Sequence, residues 1–339
     1  MKSRSLSIAS PGVIDVVEQE VPRLGPDDLL VNVRVGGVCR GDVEAFRGDE
    51  SVPTPYIGGH ESAGTVLEVG STVTRFRAGD NVALLGDGRF TQYSVANQRE
   101  AALLPDDISD WRDWVIEPVA CAANGVDVAG VSFDDVVGVV GAGYMGQLVI
   151  RVLRSTPFRE LIAFDVNDAA LAAAERSGAT RTYRVDQPEE ELDRELESVI
   201  FRRPMPASYV LPGLENGPFD VVFETSGTAQ GLRTASRLVR VGGMLVMFGH
   251  QRGLVEINGT QWHLKGIRVV NGAPMSAVDF HDILNRTAAM ISAQRIDLRN
   301  LVSHSGSLDD GQIVYDASGK PGYVKGSILF DASTSGESA

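Results

Sequence analysis

The chain reads as an α/β protein in two parts, a β-rich unit followed by a doubly wound parallel sheet, and three observations predict this. Up to about Ala101 the apolar residues fall in short β-type runs (LLVNVRVGGV, GTVLEVG, NVALL, FTQYSV) broken by the turns GPDD, RAGD and LGDG. From about Ala120 to Gly272 the runs are apolar throughout (DVVGVV, ELIAFDV, FDVVFE, GMLVMFG, IRVVNG) and alternate with helical stretches. Strands without polar alternation belong to a parallel sheet covered on both faces. Finally, 339 residues exceed what one typical core holds, which suggests two domains.

Taken in order, the N-terminal MKSRSLSIASPGVIDVV lacks the apolar core of a signal peptide, and no run of about 18 apolar residues follows. The expected location is cytoplasmic, with no membrane partner. Hydrophobic residues at 43% and charged residues at 22% fit a folded globular chain rather than a disordered one. A formal net charge of -14 argues against nucleic acid or an anionic membrane as a partner. Two cysteines, Cys39 and Cys121, form no disulfide framework, which leaves thiolate ligation or packing. Glu189–Leu196 reads as a solvated surface helix, and the proline-interrupted Thr182–Pro218 as containing a loop at the sheet's rim. A long helix is expected over Asp279–Ser292. The closing VKGSILF is too small to fold alone and is expected to rejoin the β unit, while the tail Ser333–Ala339 is expected to fray.

The stretch DVVGVVGAGYMGQLVIRVL places Gly141, Gly143 and Gly146 as G-x-G-x-x-G after an apolar strand, with Tyr144 and Met145 opening a helix. The first glycine permits a tight turn, the second lets backbone approach a pyrophosphate, and the third allows close helix–strand packing. A helix N-terminus adds free N–H groups and a positive dipole end. The next strand ends at Asp165, nineteen positions after Gly146, close to the spacing of a ribose carboxylate. That acid would repel a 2′-phosphate and no Arg or Lys follows directly in DVND, so the cofactor expected is NAD rather than NADP. The competing reading makes these glycines packing devices and Asp165 a helix cap.

A second constellation lies upstream. YIGGHESAGTVLEVG sets His60 beside Glu61, GGVCRGDVEAF contributes Cys39, and VIEPVACAANGV contributes Glu117. Singly, Cys39 fits a small core residue, His60 a hydrogen-bonded core imidazole and Glu117 an ion pair at a domain boundary. Together, beside a dinucleotide loop, a thiolate, an imidazole and carboxylates are the donor set of a catalytic zinc site.

On these residues the chain resembles the medium-chain dehydrogenase/reductase superfamily, the zinc alcohol and polyol dehydrogenases, over nearly its whole length. GHESAGTVLEVGSTV is similar to that family's zinc signature and GVCRGD to its first-ligand motif, while RAGDNV, FTQYSV, GAGYMG, VGGMLVMFG and VKGSILF follow in family order. The resemblance implies a GroES-like β catalytic domain (1–119 with 274–339), a Rossmann domain (120–273), and a cleft between them. It implies zinc polarising a substrate oxygen while hydride passes to the nicotinamide. Cys39 and His60 carry over as ligands. Glu117 stands where the polyol branch has glutamate and the alcohol branch cysteine; Cys121, four residues on, is its rival, and motif position favours Glu117. Glu61 is expected beside the metal or as an exchanging ligand. Arg40 is expected on the cofactor pyrophosphate, Asp42 in a structural ion pair, and Gly249 and His250 near the nicotinamide. A homo-oligomer, dimer or tetramer, is implied as well.

The chain departs from the family in two ways that bear on chemistry. Two positions after the zinc cysteine, where a hydroxyl usually passes on the alcohol proton, stands Gly41. Water and Glu44 are the expected substitute. The four-cysteine structural zinc lobe is missing, with only Gly86 to Arg89 between the flanking strands, so one catalytic zinc per chain and no structural zinc are expected. The leading expectation is a zinc- and NAD-dependent dehydrogenase of a secondary alcohol, a polyol, cyclitol or sugar derivative. The alternatives are a zinc-independent enone or quinone reductase and a dinucleotide-binding relative without turnover.

Overall fold

The computed structural model describes residues 1–49, 52–86, 89–197 and 216–330. The chain divides into two units, Met1–Ala120 together with the chain from His281 on, and Cys121–Phe280.

The first unit begins with a hairpin, β1 (Lys2–Ser10) and β2 (Val13–Glu20), followed by the long strand β3 (Asp28–Val38). A short helix α1 (Arg40–Phe46) follows at once. The strands β4 (Glu61–Val69), β5 (Asn81–Leu84), β6 (Tyr93–Asn97) and β7 (Ala101–Leu103) come next, and helix α2 (Glu117–Ala129) contains the division between units.

In the second unit strands and helices alternate: β8 (Val136–Val140), α3 (Tyr144–Leu153), β9 (Glu160–Asp165), α4 (Asp168–Ser177), β10 (Arg181–Arg184), α5 (Glu189–Glu197), β11 (Phe219–Glu224), α6 (Ala229–Leu238), β12 (Val239–Met247), α7 (Gly259–Lys265) and β13 (Arg268–Asn271). After α8 (Phe280–Ser292), the strand β14 (His304–Ser307), helix α9 (Gly311–Ala317) and strand β15 (Gly326–Leu329) belong to the first unit.

Among the described residues the first unit holds a sheet in the order β14-β15-β3-β4-β5-β7, with β6 also paired to β3. The C-terminal strand does rejoin the β unit: β15 runs antiparallel to β3, with Gly326 opposite Val38. Leu6, Ile8, Val33, Phe90, Tyr315 and Ile328 are fully buried beneath it. The second unit is a sheet ordered β10-β9-β8-β11-β12-β13, every pair parallel. Its inner strands β8, β9 and β11 are buried almost throughout, as both faces of the sheet's centre are covered, while the edge strands β10 and β13 carry polar residues and are partly exposed. Ile162, Phe164, Phe219, Val222 and Leu245 have no exposed surface. The order 3-2-1-4-5-6 is that of a doubly wound dinucleotide fold, with the switch between β8 and β11. The expected loop at the sheet's rim falls largely at 198–215, and the frayed tail at 333–339; both lie outside the described residues, as do two positions of the segment that replaces the structural lobe.

Candidate functional site

Strand register builds the first cluster. Glu61 opens β4 opposite Gly37 of β3, and Cys39 directly follows the end of β3. On the other side of β3, β15 starts opposite Val38, so Lys325 immediately precedes it. Three strands distant in sequence thus deliver Cys39, Glu61 and Lys325 to one end of the sheet. His60 reaches the same place through the turn before β4, where Gly59 has φ +89° and a Cβ would lie 2.7 Å from the Phe90 backbone. Only glycine fits there. A Cβ on Gly37 would collide with the Glu61 carboxylate at 2.3 Å, so that glycine clears the acid's place.

Among the described residues, Cys39 Sγ, a His60 ring nitrogen and a Glu61 oxygen lie within 4.8 Å of one another. The Cys39–His60 hydrogen bond, aided by the charges of Glu61 and Glu117, pushes the imidazole up to about 10 against the opposing effect of burial. A thiol, an imidazole and a carboxylate gathered this closely are donor types that a zinc ion accepts. Glu117 is near enough for its charge to act on His60 but stands outside the tight trio, and so does Cys121, which is buried in α2.

Two further residues support this cluster. Lys325 forms an ion pair with Glu61, both side chains about 95% buried or more. Asp42 was expected in an ion pair; instead its carboxylate accepts the Cys39 N–H at 2.9 Å and the Gly59 N–H at 3.4 Å. It thereby ties together the two loops that hold the thiol and the imidazole, and burial pushes its own pKa up to about 6. Lys325 could not be found from spacing, because only the return of β15 brings it near. Asp42 had a local clue, an acid three residues past the cysteine at the start of a helix.

Other expected residues find different partners. Arg40 Nε donates to Glu44 Oε1 at 2.9 Å across one helical turn. The guanidinium expected on the pyrophosphate and the acid expected in the proton relay therefore hold each other, a pairing that the i, i+4 spacing could have shown. A Cβ built on Gly41 meets nothing within 4 Å. Arg89 is buried, donating to the Leu85 and Val95 carbonyls and to Ser94, and pairing with Glu100.

In the second unit the loop between β8 and α3 has the form its glycines predict. Gly141 has φ +99°, and a Cβ on Gly146 would lie 2.0 Å from the Gly141 carbonyl oxygen, so the helix packs against the turn as closely as glycine allows. A Cβ on Gly143 meets nothing, which leaves that stretch of backbone bare toward an incoming ligand. Tyr144 and Met145 form the first turn of α3, where N–H groups have no intrahelical acceptor. Asp165 Oδ2 accepts the Ala142 N–H at 2.7 Å and Oδ1 the Asn167 N–H at 2.9 Å. A carboxylate offers about four acceptor positions, so two remain for ribose hydroxyls. Gly249 and His250 follow β12, and the Gly249 N–H bonds the Glu224 carbonyl at 2.6 Å. The donor types of Cys39, His60 and Glu61 suit a zinc ion, and the glycine turn before α3 suits a diphosphate.

Residues 25–106 match the family model of the alcohol dehydrogenase GroES-like domain, and residues 145–289 that of the zinc-binding dehydrogenases. L-threonine 3-dehydrogenase of Deinococcus deserti is 30% identical over 361 residues, covering 96% of this chain and 98% of its own. A zinc-binding dehydrogenase of Sinorhizobium meliloti, solved bound to NADP, superposes with a TM-score of 0.80 at 25% identity, covering 97% of this chain and 99% of that one. The fold is also that of L-idonate 5-dehydrogenase from Escherichia coli, with a TM-score of 0.82 at 20% identity over 97% and 99% of the two chains. The chain belongs to the zinc-containing alcohol and polyol dehydrogenases of the medium-chain dehydrogenase/reductase superfamily. Among the described residues, no helix is long and apolar enough to cross a membrane.

Proposed function

We propose that this protein is a zinc- and NAD-dependent dehydrogenase that oxidises a secondary alcohol flanked by polar groups, a polyol, sugar derivative or β-hydroxy amino acid. The observation that carries the reading is the Cys39–His60–Glu61 trio within 4.8 Å. Its donors would hold the cation with Glu117 or Cys121 completing the set, and the bound ion would act as a Lewis acid toward the substrate oxygen. L-threonine enters because the curated relative acts on it, and its 3-hydroxyl is a secondary alcohol.

The protein's own residues supply placement and charge. Asp42 fixes the loops of Cys39 and His60, and Lys325 neutralises Glu61 so that the buried acid does not stand uncompensated. The bare backbone at Gly143 and the first turn of α3 receive the diphosphate, while the spare acceptor positions of Asp165 take the ribose hydroxyls. With glycine at position 41, the alcohol proton leaves through water, and Glu44 is the acid on the same helix that takes it up.

The test is NADH formation, followed at its nicotinamide absorbance, against L-threonine, polyols, cyclitols and simple secondary alcohols, with NADP in parallel. Turnover of at least one polar secondary alcohol with NAD is expected. Reduction of enones or quinones by metal-free protein, with no alcohol oxidised, would overturn the assignment.

A further inference from the structure

The rim of the second unit carries an arginine beside the ribose acid that the cofactor reading has not used. Arg184 ends β10 in register with Asp165 at the end of β9, and registered residues of adjacent strands present their side chains on one face. An arginine so placed is what a 2′-phosphate would seek. It is already engaged. Its Nε and Nη2 grip both oxygens of Asp186 at 2.9 and 2.6 Å, and Nη1 reaches Asp168, the first residue of α4, at 2.5 Å.

We infer that the Asp168–Arg184–Asp186 bridge is a second determinant of dinucleotide choice, withholding Arg184 from a 2′-phosphate beside Asp165. This rests on the NAD reading and deepens it. The three aspartates outnumber the single guanidinium among them, so a phosphate at the ribose would meet net negative charge even where an arginine stands. Removal of Asp165 alone then leaves Arg184 committed to its two carboxylates, and admits NADP only in part. Releasing it requires the other two aspartates to lose their charge.

Direct binding separates these effects without zinc or turnover. Calorimetry would measure adenosine 2′,5′-bisphosphate against adenosine 5′-monophosphate for wild type, Asp165→Ser, the triple variant with Asp168→Asn and Asp186→Asn, and that triple variant with Arg184→Gln added. Circular dichroism melting would confirm folding. The triple variant should bind the bisphosphate about tenfold or more tighter than Asp165→Ser, the scale of one charge-assisted pair, with monophosphate affinity changed less than twofold. The gain should vanish with Arg184→Gln. Equal bisphosphate affinity in Asp165→Ser and the triple variant, or a gain that survives Arg184→Gln, overturns the inference. A wild-type protein that already prefers the bisphosphate overturns the NAD reading itself, before any substitution is considered.

Discussion

Lys325→Met asks how much the Cys39–His60–Glu61 cluster depends on a residue from the far end of the chain. Glu61 and Lys325 are 3% and 5% exposed at their side chains, so the pair is screened by almost no water. Removing the ammonium leaves a buried carboxylate without its partner, a change that costs about 3–5 kcal/mol. For a domain of this size that lowers Tm by roughly 6–20 °C. Glu61→Gln strands the ammonium instead and should cost a similar amount. The double variant Glu61→Gln/Lys325→Met removes both charges and keeps most of the volume, so it should lose much less than the sum of the singles. Urea unfolding of metal-free protein, followed by circular dichroism, is the assay, since bound ion would add its own linkage to the equilibrium. Singles that cost under about 1 kcal/mol, or effects that add to within about 0.5 kcal/mol, would refute the claim that this pair acts as a buried unit.

Further outcomes follow from the same geometry. The folded His60 pKa of about 10 lies above the ordinary 6.5, so the imidazolium's contribution to metal-free stability is complete below the ordinary value and is lost as pH rises through about 10. A ligating imidazole must be neutral, so zinc added to metal-free protein near pH 7.5 should release at least about one proton per site, and affinity should climb with pH. Zinc uptake without proton release, read by indicator dye in weak buffer, would contradict this. Gly41→Ser enters open space and should fold normally. Its hydroxyl should raise kcat by about two- to tenfold and blunt the effect of Glu44→Gln, well below the full effect of general acid–base catalysis because water already serves. No change in kcat or in its pH profile for either variant would remove Glu44 from the relay.

The fold class was legible because two periodicities meet in the chain: short broken β runs, then uniformly apolar strands spaced by helices. The dinucleotide loop was legible as well, since Gly141, Gly143 and Gly146 each have a steric reason visible in their spacing. What escaped the sequence reading were partnerships set by tertiary return. Lys325 meets Glu61 only because β15 lies against β3, and no local pattern announces it. Lys265 is another such residue, fully buried and donating to the Ser236 and Arg237 carbonyls that end α6. Residue type alone would have placed it in solvent. The Arg40–Glu44 pair differs, because its one-turn spacing was in plain view although Arg40 was assigned to the pyrophosphate and Glu44 to the relay without the two being paired.

Metal content and activity measured together test the central claim most directly. Purified wild-type protein should carry about one zinc per chain by plasma mass spectrometry, and chelation should abolish alcohol oxidation in a way that zinc reverses. Cys39→Ser and His60→Ala should lose metal and turnover together while still binding NADH. Full alcohol-dependent NAD reduction by protein stripped of metal, or zinc retained undiminished when both Cys39 and His60 are replaced, would contradict the account.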